Sequence, residues 1–228
     1  MALKVVAFDA YGTLFDVAAA ARNLATHSTD AHFKEHWMKL AEIWRLKQLQ
    51  YSWLRAITND YVDFWQVTED GLDFALEAVG IENADTRKAL LDLYWSLDAY
   101  AEVPDMLSEL KAKGIATAIL SNGSKAMLDG AISSAGIADV LDDVLSVEDV
   151  EIFKPDDRVY QMVPDRFECS KEEVLLVSSN GWDIAGGSGF GFQTLWVNRA
   201  GDPVDRLPSK PDQIAPDLRV LPEMIEGL

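Results

Sequence analysis

Asp9 follows a short apolar run, Leu3 to Phe8, and opens a Gly-bearing turn, Phe8-Asp9-Ala10-Tyr11-Gly12-Thr13-Leu14. Such a run reads as a buried strand, and in open α/β sheets ligands bind where strands end in this way. A carboxylate held there can serve as a nucleophile. The residue two places on narrows the chemistry. A second Asp would suit phosphoryl transfer, one carboxylate attacking while the other protonates the leaving group. Tyr11 keeps the attacker and removes that acid. Asp is also common in turns, where its side chain caps the backbone, so Asp9 alone does not define a site.

Three more loops carry suitable groups. Ser121-Asn122-Gly123-Ser124 follows an apolar stretch at 115–120. Lys154-Pro155-Asp156 precedes a helical pattern. Ser178-Ser179-Asn180-Gly181-Trp182-Asp183 closes a strand pattern at 174–178. Each has a plainer explanation. Ser121 and Ser124 can cap the next helix, Lys154 can form a surface ion pair, and Asp183 can be a first-turn acid. Parallel strands would bring all four loops to one sheet edge, where a nucleophile, hydroxyl and amide donors, a lysine and a second carboxylate converge. Capping alone does not explain four such loops at matching positions.

The elements that must position these groups follow from periodicity. A strand at 3–8 precedes a mostly helical stretch at about 17–98, with helix-like segments near 17–27, 30–57, 68–79 and 85–97. In the long segment Trp37, Leu40, Ile43, Trp44 and Lys47 recur at spacings of three and four, which marks one helical face. From Pro104 the pattern alternates: a helix from Pro104 to Gly114, a strand at 115–120, a helix at about 125–135, a short strand near 144–147, and a helix near 156–163. A strand at 174–178, a helix from about 182 and a strand at 194–198 complete the series. Alternation on this scale implies a parallel sheet covered on both faces. The fold class is α/β, a doubly wound, Rossmann-like core (1–16 and 99–228) with an inserted helical cap (17–98). Five of the seven tryptophans lie in the insertion, at 37, 44, 53, 65 and 95; most pack a small bundle, and some can line a pocket or a dimer contact.

The chain has 228 residues, 49% hydrophobic and 25% charged, enough for one large domain or a core plus an insertion. The single cysteine, Cys169, excludes an internal disulfide and a multi-cysteine metal site. A net charge of −18 makes nucleic acid and anionic membranes poor partners. No stretch is apolar enough for a secretion signal or a membrane span, so a cytoplasmic location is the expectation. An anionic substrate would need local Lys or Arg, which within a screening length of about 8 Å outweigh distant charge.

Other patterns carry less. The glycine-rich run from Gly186 to Gly191 fits close helix–sheet packing; it follows a helix start instead of opening it, unlike a dinucleotide fingerprint. His32-Phe33-Lys34-Glu35-His36 matches a zinc-protease pattern but has no evident third ligand. Acidic residues between Asp139 and Glu151 read as a solvated edge.

The ordered set resembles the haloacid dehalogenase superfamily, and within it the L-2-haloacid dehalogenase branch. The resemblance rests on FDAYGTL at 8–14, WRLKQLQYSWLR at 44–55, LSNGS at 120–124, KPDDRVY at 154–160 and LVSSNGWD at 176–183. The first and fourth are superfamily-wide; the second and last are specific to the branch. The resemblance implies that Asp9 displaces halide from C2 of an L-2-haloalkanoate, forming an aspartyl ester that water cleaves to a D-2-hydroxy acid. Arg45 would receive the halide with Asn122 and Phe64. Ser121 and the backbone amides after Asp9, beginning with Ala10, would hold the substrate carboxylate. Lys154 and Ser178 would orient Asp9 and keep it ionised, while Asn180 and Asp183 would position and activate water. Tyr11, Thr13, Tyr160 and Trp182 would shape the pocket or support these groups. No cofactor and no metal are implied. In the superfamily's phosphatases the fourth strand end carries a magnesium-binding Asp where this chain has Ser179. The resemblance also implies a homodimer. A phosphatase, and a non-catalytic binding protein on the same fold, remain the alternatives.

Overall fold

The computed structural model of the protein describes residues 3–226. Six strands form one sheet, β1 (Val5–Phe8), β2 (Ala116–Ser121), β3 (Asp143–Ser146), β4 (Val174–Ser178), β5 (Gln193–Val197) and β6 (Gln213–Ala215), in the order β3-β2-β1-β4-β5-β6. All pairs are parallel. β1 and β4 are buried throughout, as expected when helices cover both faces and the strands read as continuous apolar runs. The connection reverses direction at β1, flanked by β2 and β4, and a crevice opens at such a switch point. Phe8 pairs with Ile119 on one side and Val177 on the other, so the turn at Asp9, the loop after Ser121 and the loop after Ser178 leave the sheet at nearly one level.

Four helices follow β1: α1 (Ala19–His27), α2 (Ala31–Thr58), α3 (Phe64–Ala78) and α4 (Ala84–Trp95). α2 is capped by Asp30, whose carboxylate accepts the N–H groups of His32 and Phe33, and it ends at Asn59 in a left-handed conformation. It buries Phe33, Leu40, Trp44, Gln48 and Ser52, a single face at near-regular spacing. A polar contact fixes the register of three helices. Gln48 donates to the Thr68 hydroxyl at 3.0 Å and to the Tyr94 hydroxyl at 3.1 Å, and Trp44 donates to the Thr68 carbonyl at 2.8 Å. α3 starts at Phe64, four residues before the sequence suggests, because Asp63 caps it by accepting from Gln66.

Two short crossings join these helices to the sheet and pair with each other. Asp16 donates its N–H to Asp98, Tyr100 donates to Leu14, and Phe15 bridges Ala99. The remaining helices are α5 (Val103–Ala112), α6 (Lys125–Ala135), α7 (Asp157–Phe167), α8 (Gly181–Phe190) and α9 (Leu221–Ile225). α8 packs tightly on the sheet. A Cβ at Gly187 would lie 2.3 Å from Leu176 Cδ2, and one at Gly186 would lie 2.4 Å from the Tyr160 hydroxyl. β6 and α9 are absent from the sequence reading, being three and five residues long in a polar, Pro-bearing tail.

Candidate active site

Asp9 leaves the sheet with its backbone N–H on the Val177 carbonyl, and its side chain is 9% exposed. Its two oxygens are held differently. Oδ2 accepts from the Thr13 hydroxyl at 2.9 Å and from the Asn180 side-chain NH₂ at 2.9 Å. Among the described residues Oδ1 has only the longer contact to Lys154 Nζ, at 3.3 Å. Lys154 is fully buried and donates to Asp183 Oδ2 at 2.8 Å, while Asp183 Oδ1 accepts from the Tyr160 hydroxyl at 2.9 Å. One ammonium therefore serves two carboxylates. A buried ion pair survives desolvation only with such additional hydrogen bonds. Burial by itself would lower the Lys154 pKa, but Asp183 and Asp9 more than reverse this and set it above the ordinary lysine value. Burial pushes the Asp183 carboxyl up; Lys154 opposes that shift and Asp9 adds to it.

Arg45 reaches in from α2. Its Nη2 donates to the Tyr11 carbonyl at 3.2 Å and to Asn180 Oδ1 at 3.1 Å. A guanidinium can only donate, so it fixes which end of the Asn180 amide faces it and turns the NH₂ toward Asp9. Asn180 thus links the two groups of opposite charge.

Thr13 is held in turn: its hydroxyl accepts the Ser179 N–H at 2.8 Å, and the Ser179 hydroxyl donates to the Gly12 carbonyl at 2.6 Å. Among the described residues the N–H groups of Ala10 and Tyr11 find no protein acceptor, although both residues are buried. Buried amides without a partner are rare, and two neighbouring ones suit an anion. Ser121 and Asn122 border the same turn. The Ser121 hydroxyl accepts the Gly123 N–H at 3.0 Å, and the Asn122 side-chain carbonyl accepts the Lys154 backbone N–H at 2.9 Å, which anchors the lysine loop.

Ser178 departs from the sequence reading. Its hydroxyl accepts the Asn180 N–H at 3.1 Å. It shapes the loop that carries Asn180, and among the described residues no hydrogen bond joins it to Asp9. Asp183 is enclosed, with Lys154 between it and Asp9.

Rings line the insertion side. Tyr11 stacks on Tyr94 at 5.7 Å and 13° and lies 6.1 Å from Phe64, which meets Phe153 edge-on. The Tyr11 hydroxyl is buried without a partner; burial, with Tyr94 and Asp9 adding and Arg45 opposing, pushes its pKa well up, so it is a neutral phenol. A Cβ at Gly123 would sit 2.6 Å from the Tyr11 ring. Trp182 meets Trp53 edge-on at 5.4 Å. A cavity of about 540 Å³, lined by Leu49, Asn180, Trp182, Asp202 and Arg206 among others, opens beside Asn180.

The convergence of a buried carboxylate, a shared lysine and a second carboxylate at the β1 switch point coincides with a match to the family model of haloacid dehalogenase-like hydrolases over residues 3–191. The chain belongs to the haloacid dehalogenase-like hydrolase family. It is 42% identical over 225 residues to an (S)-2-haloacid dehalogenase of Pseudomonas sp. (strain YL), covering 98% of this chain and 95% of that protein. It is 45% identical over 202 residues to (S)-2-haloacid dehalogenase 1 of Pseudomonas sp. (strain CBS-3), covering 88% and 87%. Among solved structures, it is similar to the L-2-haloacid dehalogenase of Xanthobacter autotrophicus with chloropropionic acid covalently bound, with a TM-score of 0.84, 31% identity and 99% of each chain covered.

Within this haloacid dehalogenase-like hydrolase, some residues at the site escaped the sequence reading. Gln48 lies in the 44–55 run and Tyr94 in a helical segment, but neither was singled out, and nothing local announces their hydrogen bond. Arg199 follows β5, and its Nη2 donates to the Thr13 carbonyl at 3.1 Å. Extending the strand-end argument to the fifth strand would have found it.

Proposed function

We propose that the enzyme hydrolyses L-2-haloalkanoic acids to D-2-hydroxy acids through an ester of Asp9. The observation that carries this reading is the Asp9 carboxylate, held at one oxygen by Thr13 and Asn180 while Oδ1 keeps only a long contact to Lys154. Oδ1 is the freer oxygen and attacks C2 from the side opposite the halogen. The carbon–halogen bond breaks as the carbon–oxygen bond forms, and the halide leaves with the electron pair toward Arg45, Asn122 and Phe64. A guanidinium suits this task because it is always charged and only donates. The free amides of Ala10 and Tyr11, with Ser121, hold the substrate carboxylate. Water then attacks the Asp9 carbonyl carbon, assisted by Asn180 and Asp183. Its oxygen enters Asp9, and the alcohol departs with the configuration set by the single inversion at C2. The raised pKa of Asp183 suits a proton acceptor.

A divalent ion is not part of this route. The donor set does not fit one: both carboxylates turn to Lys154, and the Ser179 hydroxyl is committed to the Gly12 carbonyl. Cations of that type take several oxygen ligands. Tyr11, two residues past Asp9, offers no acid for a phosphate leaving group. The helical cap is 17–98 and the core 1–16 and 99–228, and the enzyme works as a cytoplasmic homodimer on a small haloacid. Among the described residues no helix is long and apolar enough to cross a membrane.

A single turnover of L-2-chloropropionate in ¹⁸O-water, with chelator present, tests the reading. Heavy oxygen should appear first in the Asp9 carboxyl group, with D-lactate unlabelled. Label in the lactate of that first turnover, or dependence of halide release on magnesium, would overturn it.

A further inference from the structure

We propose that Arg199 is a positioning residue that locks the crossings of the helical insertion to the turn carrying Asp9. This role rests on the dehalogenase reading above. Arg199 follows β5, which ends at Val197. Its Nη1 donates to Glu102 Oε1 at 2.7 Å, and its Nη2 donates to the Thr13 carbonyl at 3.1 Å. The guanidinium carbon lies 3.7 Å from the centre of the Tyr100 ring. Tyr100 is on the return crossing and donates its N–H to Leu14 on the outgoing one. Glu102, whose side chain is 8% exposed, stands immediately before α5.

One planar group therefore touches the sheet side, the return crossing and the peptide of the residue whose hydroxyl holds Asp9 Oδ2. The Thr13 carbonyl and hydroxyl belong to one residue. The peptide that carries this carbonyl also carries the Leu14 N–H, which donates to the Ala10 carbonyl at 2.9 Å, so Arg199 braces the turn from which the Thr13 hydroxyl reaches Asp9. A lysine has a single point charge and cannot stack on Tyr100 while serving Glu102 and Thr13 together, whereas the fork of arginine can. Arg199 meets neither substrate nor Asp9 directly, so its effect passes through Thr13.

The test compares Arg199→Ala, Arg199→Lys and Arg199→Gln with wild type, by rapid-quench measurement of ester formation from L-2-chloropropionate, by KM, and by thermal melting. In the Ala variant ester formation should slow about 10²-fold while KM changes by less than about threefold. Added guanidinium ion should recover at least about a tenth of the lost rate, and Lys should recover little. A purely stabilising role would lower the melting point and leave ester formation per folded enzyme unchanged. Ester formation within about threefold of wild type in any folded variant overturns the role. Should Ala not fold, Lys and Gln are judged by the same criterion. Absence of halide release by wild type overturns the dehalogenase reading and this role together; release by wild type with unaffected variants overturns this role alone.

Discussion

The sheet edge and the helical insertion face each other across Asn180, and they treat charge in opposite ways. The sheet edge buries it: Asp9, Lys154 and Asp183 are all nearly excluded from water, and both carboxylates pair with the lysine. The insertion buries rings, among them Trp44, Phe64 and Tyr94, and sends one half-buried charge, Arg45, into the site. A carboxylate that must be ready before substrate arrives gains from rigid partners on a continuous sheet. A group that receives charge only as the halide leaves can reside on a helix positioned by packing. On the proposed route, the difference would give bond formation to the sheet side and leaving-group reception mainly to the insertion, with Asn122 its one partner from the core.

The largest effect should come from the sheet side. Asp9→Asn should lower kcat by about 10⁴-fold or more in a protein that still melts cooperatively; full turnover, with mass spectrometry showing the amide intact, would end the comparison. Lys154→Met leaves two buried carboxylates without their cation and should cost about 3–5 kcal/mol of stability in urea unfolding, besides activity. A stable, active Lys154→Met protein would show that the buried charges are independent. On the insertion side, Arg45→Ala should slow ester formation about 10²–10³-fold, with a smaller effect on ester hydrolysis through Asn180 and little change in melting point. Equal slowing of both steps in rapid-quench measurements would dissolve the division of labour.

A pH profile sharpens the same contrast. Because the folded pKa of Lys154 is raised, its pairing is complete below the ordinary lysine value of about 10.4 and is lost only as pH rises through the higher folded value. The rate of ester formation should therefore show no basic limb from this group below about pH 10. The smallest effect belongs to the packing of the insertion. A Cβ at Gly71 would meet the Trp44 ring at 3.3 Å and Gln48 at 3.4 Å, so Gly71→Ala should cost about 1 kcal/mol in thermal melting and leave kcat unchanged.

Much of the sheet edge was readable in the chain because strand ends announce themselves. Apolar runs stop at Asp9, Ser121 and Ser178, and parallel topology does the rest. The glycines after Asp183 were legible for the same reason, as Gly186 and Gly187 allow Tyr160 and Leu176 to approach α8. The partner of the Ser178 hydroxyl was not, because the choice between Asp9 and the Asn180 amide depends on the local path of one loop. Nor was the start of α3: around Asp63 the residues Val62, Phe64 and Trp65 are apolar or aromatic, with no helical period until later turns, and the cap at Asp63 decides it. β6 has too few residues to show alternation, and its place in the sheet comes from pairing with β5.

The seat of the Tyr11 ring on Gly123 has a practical side. Position 123 admits no larger residue without expelling that ring into Tyr94 and Phe64. Anyone redesigning the enzyme for bulkier acids thus finds the floor of the chamber already committed. Room has to be made in the roof, by trimming rings on α3 and α4, at the expense of the contacts these rings make to Tyr11, Phe153 and Gln48.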